Sequence, residues 1–205
     1  MELDPGQLAF LVAQGILPEQ VFDARGMATA VWQERAREEG MLFVLGAPCR
    51  AAGHRLRTRA NHCIQCDTRK IAYIRRHAAP GFVYIAASRG AMLLKIGSCV
   101  DTEQRARNLR NHRYGNGVDW EIIAWAKTLA MGEVEFGIHR DLESFMIEGS
   151  YEHDGRIQRT RELLRGDLDA VWQAYNARVQ MIAEANRWRH PGFDRFNFGG
   201  DAPPR

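Results

Sequence analysis

The chain reads as a mixed α+β protein in which a small three-stranded antiparallel sheet is flanked by helices, preceded by an N-terminal helical segment and a small cysteine-rich module. Three observations predict this. The apolar runs Phe82–Ala86 and Met92–Ile96 flank Ser88-Arg89-Gly90 in the manner of a β-hairpin, and a third run, Trp120–Ala126, follows after a helical stretch. Helical periodicity fills most of the remainder, beginning with Leu8, Leu11 and Val12. Between the two regions lies a basic segment holding three of the four cysteines, too poor in apolar residues to build a core of its own.

The elements follow in order. In residues 1–45, a first helical stripe is interrupted by Gly15-Ile16-Leu17-Pro18, Val21 and Phe22 continue it, and Ala28 to Glu39 is rich in helix formers. Two short helices before a longer one fit either a small helical bundle or a helix-turn-helix; few basic residues are present for phosphate contact, which favours the bundle. Met41–Leu45 has strand length and ends at Gly46-Ala47-Pro48. The basic module occupies 46–79 and closes with a helix from Lys70 to His77. Pro80-Gly81 stops that helix and marks a domain boundary.

In the main domain, 80–190, Asp101 can cap a helix reaching about Asn111, with Gln104 as the reciprocal partner. A second helix is expected from Met131 to Phe145, through Val134, Ile138, Leu142 and Phe145. A long third helix is expected from Arg161 to Arg187, through Leu164, Leu168, Val171, Trp172, Tyr175, Val179 and Ile182. Residues 191–205, with Gly199-Gly200 and Pro203-Pro204, read as a mobile tail that Phe193, Phe196 and Phe198 could dock.

The 205 residues carry 45% hydrophobic and 26% charged side chains and a net charge of +3, values ordinary for a globular protein. No apolar run nears the roughly 20 residues that span a bilayer, and Glu2 and Asp4 stand where a signal peptide would be basic, so a cytoplasmic protein is expected. The charge is uneven. Cys49 to Ala78 contains eight Arg or Lys residues and a single acid, Asp67.

That segment carries the pattern Cys49-x4-His54-x8-Cys63-x2-Cys66, four ligands at spacings suited to tetrahedral Zn²⁺. A closed set of four leaves no open position, so the expected zinc is structural. His62 could substitute for His54, but it sits directly beside Cys63. The arginines and lysine around the cluster, Arg55, Arg57, Arg59, Arg69 and Lys70 with Arg50, Arg75 and Arg76, suit phosphate contact; a solvated basic face is the alternative. Cys99 lies apart and reads as a small apolar residue.

Tyr84 and Lys95 fall on adjacent strands of the expected hairpin, where both can face one phosphate. Gly97 follows the second strand and permits close backbone approach. Arg105 lies in the first turns of the next helix, its planar fork suited to two phosphate oxygens. Glu135 and His139 stand one turn apart on the second helix.

The order Phe-Val-Tyr, Lys-Ile-Gly and Arg105 resembles the GIY-YIG nuclease motif over residues 81–153, in the branch common in phage and prophage proteins. The resemblance implies an endonuclease that hydrolyses phosphodiester bonds in nucleic acid, DNA being the expected form, possible as a homodimer. It implies that Tyr84, Lys95, Arg105, Glu135 and His139 are catalytic and that Glu135, in preference to Glu133, holds Mg²⁺ or Mn²⁺. Whether Tyr84 or Lys95 is the base stays open, as do the roles of Tyr151 and Glu152. A lysine replaces the family's second tyrosine, and Leu109 stands where some members have histidine. Two further readings compete: a phage-type regulator that binds nucleic acid without useful turnover, and a module for protein contacts alone.

Overall fold

The computed structural model describes residues 1–199, so Gly200 and Pro203-Pro204 of the expected tail lie outside the described residues. The chain divides into two compact units, Met1–Arg76 and His77–Arg205.

In the first unit Asp4 opens α1 (Pro5–Ala13) with a reciprocal cap: its carboxylate accepts from the Gln7 amide at 2.8 Å, and the Gln7 side chain accepts from the Asp4 amide at 3.0 Å. Then come β1 (Val21–Asp23), α2 (Thr29–Glu38), β2 (Phe43–Leu45), β3 (Leu56–Thr58) and α3 (Arg69–His77). β2 is the middle strand, parallel to β1 and antiparallel to β3. Val21 and Phe22 are therefore strand rather than helix, which separates α1 from α2 and removes the helix-turn-helix reading. A β-branched and an aromatic residue bury better against β2 than on a short isolated turn. Leu11, Ile16, Phe43, Leu45, Leu56, Ile64 and Ile71 form one core cluster, and Phe22, Trp32, Ala36 and Val44 a second.

The second unit runs β4 (Gly81–Ser88), β5 (Leu93–Cys99), α4 (Thr102–Asn111), β6 (Glu121–Thr128), α5 (Met131–Asp141), β7 (Met146–His153), β8 (Arg156–Leu164), α6 (Leu168–Val179) and β9 (Arg187–Arg189). Its sheet has six strands in the order β7-β8-β5-β4-β6-β9, where the sequence predicted three. The three expected strands are the central β5-β4-β6. The hairpin β7–β8 adds to one side and β9 to the other.

Two helix expectations shorten for local reasons. Arg161 to Leu164 end strand β8, because Gly166 at φ 123° turns the chain and Asp167 caps α6, its side chain accepting from the Asp169 amide at 2.7 Å. α5 stops at Asp141, and Glu143–Phe145 makes a 3-10 turn. The expected tail is docked as far as it is described: Phe193, Phe196 and Phe198 are buried in the main core.

That core lies on one face of the sheet, where α5 and α6 cover Val83, Ile85, Leu94, Ile96 and Ala124. The opposite face holds Tyr84, Leu109, Tyr114, Trp120 and Leu163 beside α4. α6 is pinned by Tyr175, whose buried hydroxyl donates to the Val83 carbonyl at 2.9 Å. Removing that hydroxyl in Tyr175→Phe leaves the ring packed, so a loss of about 1 kcal/mol in unfolding free energy is expected from urea denaturation.

Candidate active site and metal centre

In the first unit Cys49, His54, Cys63 and Cys66 bring their ligand atoms within 4.8 Å of one another. A tetrahedron with Zn–S bonds of about 2.3 Å has sulfur–sulfur edges of about 3.8 Å. The Cys49–Cys66 sulfur separation is 3.7 Å, and His54 Nδ1 lies 3.4 Å from Cys66 and 3.9 Å from Cys63. A disulfide needs about 2.05 Å. The cluster could thus bind zinc, and His62 is not part of it; its amide instead donates to the Thr58 hydroxyl at 3.2 Å.

The basic residues around the cluster divide by what they already hold. Arg57 donates to the Ala47 and Asn61 carbonyls at 2.9 and 3.0 Å, fastening the loop that carries Cys49. Arg55 reaches the Gly46 carbonyl at 3.5 Å. Arg75 donates to the carbonyls of Gln14 and Gly15. Arg69 pairs with Asp67 at 2.8 Å while staying 91% exposed, and Lys70 and Arg59 are half-buried.

In the second unit the hairpin aligns Tyr84 with Gly97 and Ala86 with Lys95, so Tyr84 and Lys95 share one face of the sheet. Gly97 is required there for a reason other than ligand approach: a Cβ would lie 2.6 Å from Tyr84 Cζ and nearer still to its hydroxyl oxygen. Tyr84 is 0% exposed, and its hydroxyl accepts from Arg105 Nε at 2.6 Å. Burial pushes the phenol pKa well up, against the pull of the Arg105 charge, so Tyr84 stays protonated. The Arg105 guanidinium also lies 5.7 Å from the Tyr114 ring centre.

Lys95 is 0% exposed, and its Nζ donates to Glu162 Oε2 at 2.5 Å and lies 5.3 Å from the centre of the Tyr114 ring. Burial pulls the Lys95 pKa down while Glu162 pulls it up. For Glu162, burial raises the carboxyl pKa, but the Lys95 charge outweighs it and the value ends below the ordinary carboxylate range. Burial is the larger influence and leaves the Lys95 value lowered overall, with the 2.5 Å contact to the ionised Glu162 opposing that shift.

Glu135 and His139 project from α5 toward β5. Glu135 Oε2 accepts from Ser98 Oγ at 2.5 Å, and His139 Nε2 lies 3.2 Å from the Ile96 carbonyl. A carbonyl only accepts, so Nε2 carries the proton and Nδ1 of the neutral ring keeps its lone pair. Cys99 is half-buried, and burial pushes its thiol up to about 11, which leaves it protonated.

Glu162 and Tyr114 join Tyr84, Lys95 and Arg105 on one face of the sheet, and Ser98, paired with Val83, joins Glu135 and His139 on the other, all three without having been read from the sequence. Glu162 arrives on β8, whose exposed Arg156–Arg159 stretch hides the apolar alternation of a strand. The available signal was Asp154-Gly155. Both residues have positive φ, 50° and 68°, and form the two-residue turn between His153 and Arg156. Tyr151, on β7, stacks on Tyr114 at 4.4 Å and 5°, and donates to Gln158.

Comparison with known proteins bears on this unit. Residues 81–179 match the T5orf172 domain. This is a phage-type domain associated with HNH/GIY-YIG-like nucleases, and it suggests a nuclease or nucleic-acid-binding role. The match begins with β4 and ends with α6, so it contains Tyr84, Lys95, Arg105, Glu135, His139 and Glu162 and excludes the cysteine cluster and β9. No curated protein and no solved structure matches the chain. Among the described residues no helix is long and apolar enough to cross a membrane.

The Lys95–Glu162 pair sets a pH dependence. A carboxyl with a lowered folded pKa stabilises the fold above its unfolded value, near 4.3, and that contribution fades as pH falls through the folded value. Glu162→Gln is expected to lower the urea midpoint at pH 7 by an amount equivalent to about 1 kcal/mol, since Lys95 loses its counter-charge but the Glu162 side chain is 49% exposed and solvent screens the pair. The gap to wild type should narrow steadily below pH 4; a gap of constant size from pH 7 to pH 2 would show that the ion pair is not its source.

Proposed function

We propose that the protein is a metal-dependent endonuclease of GIY-YIG type whose second unit cuts phosphodiester bonds and whose first unit is a zinc-stabilised nucleic-acid-binding module. One observation carries this reading: a buried ammonium, Lys95, and a guanidinium, Arg105, converge on Tyr84 and Tyr114 within a domain associated with nucleases. Two cations side by side on one sheet face suit a phosphate and the extra charge of its transition state.

The residues fit a divalent cation. Glu135 is half-buried, and one of its oxygens is oriented by Ser98. Mg²⁺ typically takes one or two carboxylates and completes its octahedron with water and substrate phosphate oxygens. Glu135 would hold it, and when bound it would supply charge stabilisation for the leaving oxygen.

The chain's own residues do the rest. Arg105 binds the non-bridging oxygens, with its Nε held by Tyr84. Tyr84, protonated and buried, accepts from Arg105 Nε and so orients the guanidinium. Lys95, paired with Glu162, adds the second cation. Nδ1 of His139, left with a lone pair where Nε2 donates to the Ile96 carbonyl, is the candidate base for the attacking water. The zinc site is closed by three thiolates and one imidazole and serves to fold residues 46–79, while Arg55, Arg59, Arg69 and Lys70 offer cations to nucleic-acid phosphates.

A second reading, a nucleic-acid-binding protein without turnover, is favoured by the fact that Lys95 and Arg105 already have internal partners. Incubation with DNA and RNA substrates in Mg²⁺ or Mn²⁺ separates the two. Arg105→Ala and Glu135→Gln are expected to lower cleavage by about 100-fold or more while nucleic-acid binding in EDTA persists. A wild type that binds every substrate and cuts none would leave the binding protein standing.

The zinc assignment has its own test. Purified chain should contain stoichiometric zinc by elemental analysis, and Cys63→Ser should lack it and lose the cooperative unfolding of the first unit.

A further inference from the structure

The face of the sheet that carries Tyr84 continues past it as an aromatic and basic surface. Tyr84 lies opposite Trp125 on β6, and Trp125 lies opposite Trp188 on β9. Directly opposed residues of an antiparallel pair point to the same side, so Gly97, Tyr84, Trp125 and Trp188 make one row across four strands. The next row, one pleat along, contains Phe82 and its partner Lys127.

Phe82 and Trp125 meet edge to face with ring centres 5.1 Å apart. α4 covers the other end of this face: Leu109 packs there with Trp120, and Arg110 donates to the Trp120 carbonyl at 2.7 Å. Among the described residues the Trp125 end is left open. Phe82 and Trp125 are half-buried, Lys127 is exposed, and Trp188 is 39% exposed.

We infer that Phe82, Trp125 and Trp188, with Lys127, form a stacking platform for unpaired nucleobases beside the scissile phosphate. The inference rests on the nuclease reading and names its substrate class, a nucleic acid with single-stranded or splayed nucleotides at the cut. Trp188 lies two strands, about 10 Å, from Tyr84, so a chain whose phosphate sits at Arg105 can lay its neighbouring bases along the row. Aromatic rings on a sheet surface take bases face-on, and Lys127 suits the accompanying phosphate. A continuous duplex cannot use such a surface, because both faces of each base are already stacked. Trp188 lies outside the matched domain, so this specificity belongs to what the chain adds beyond it.

The test measures binding of the full chain, in EDTA to prevent cutting, to a labelled single strand and to a blunt duplex of the same length. Wild type should prefer the single strand. Trp188→Ala should weaken single-strand binding by about 10-fold and change duplex binding by less than about 2-fold, and Trp188→Phe should recover most of the loss. Equal losses on both substrates, or no loss on either, would overturn the platform. If Trp188→Ala fails to fold, photocrosslinking of a 5-iodouracil strand to wild type decides: adducts on Phe82, Trp125 or Trp188 support the platform, and adducts only elsewhere refute it. Should duplex be cut in an Arg105-dependent way with no effect at Trp188, the platform alone falls; should nothing bind, the nuclease reading falls with it.

Discussion

A lysine ammonium with no exposed surface must be compensated, and much of the second unit is organised around that requirement. Lys95 is fixed on the central strand β5 by the hairpin with β4, so its counter-charge has to be delivered by a neighbouring element. β8 pairs with β5 at Lys95–Leu163 and Leu94–Leu164, and that pairing sets Glu162 within reach. β8 in turn needs β7, which brings Tyr151 onto Tyr114, the ring that also faces Lys95 and Arg105. An isolated buried charge costs several kcal/mol, which gives a physical reason for the hairpin β7–β8 beside the three strands that would carry the motif.

The first unit meets a different constraint. Its strands are three residues long, and its cores are small. Zinc held by the four soft or borderline ligands could supply what apolar burial does not, and Arg57 donates to the Ala47 and Asn61 carbonyls beside the cluster. The three-stranded sheet joins the N-terminal helices to the cysteine-bearing segment through β2 and β3.

How far the sequence disclosed this architecture depended on how strongly each segment's pattern differed from its rivals. β4, β5 and β6 were legible because their apolar runs are continuous and bounded by turn residues. The cysteine cluster was legible because ligand spacing is a geometric statement in itself. β7 and β8 were not, since the hairpin is largely solvated and its one firm signal, Asp154-Gly155, was outweighed by a helical period running from Leu164 onward. Val21-Phe22 was misread for want of any sign that β2 would lie beside it. In the candidate site, Tyr84, Lys95 and Arg105 could be placed together from their spacing, whereas Glu162 depends on a pairing between strands far apart in the chain, which no local pattern encodes. The need for Gly97 was visible, but its cause was not: the space it leaves is filled by the Tyr84 ring rather than by a ligand.

The short strand β9 has a consequence for colloidal behaviour. Without it, β6 would be the border of the sheet, an eight-residue strand rich in Ile, Ala and Trp that could recruit a second chain by edge-to-edge pairing. β9 covers Ala124 to Ala126, the middle of that border, and places Arg187 and Arg189 along the new one. The opposite border, β7, carries Glu148 and Glu152. Each rim thus carries charge of one sign, Arg on β9 and Glu on β7, which disfavours pairing of like rims between copies while leaving the interior of the sheet apolar.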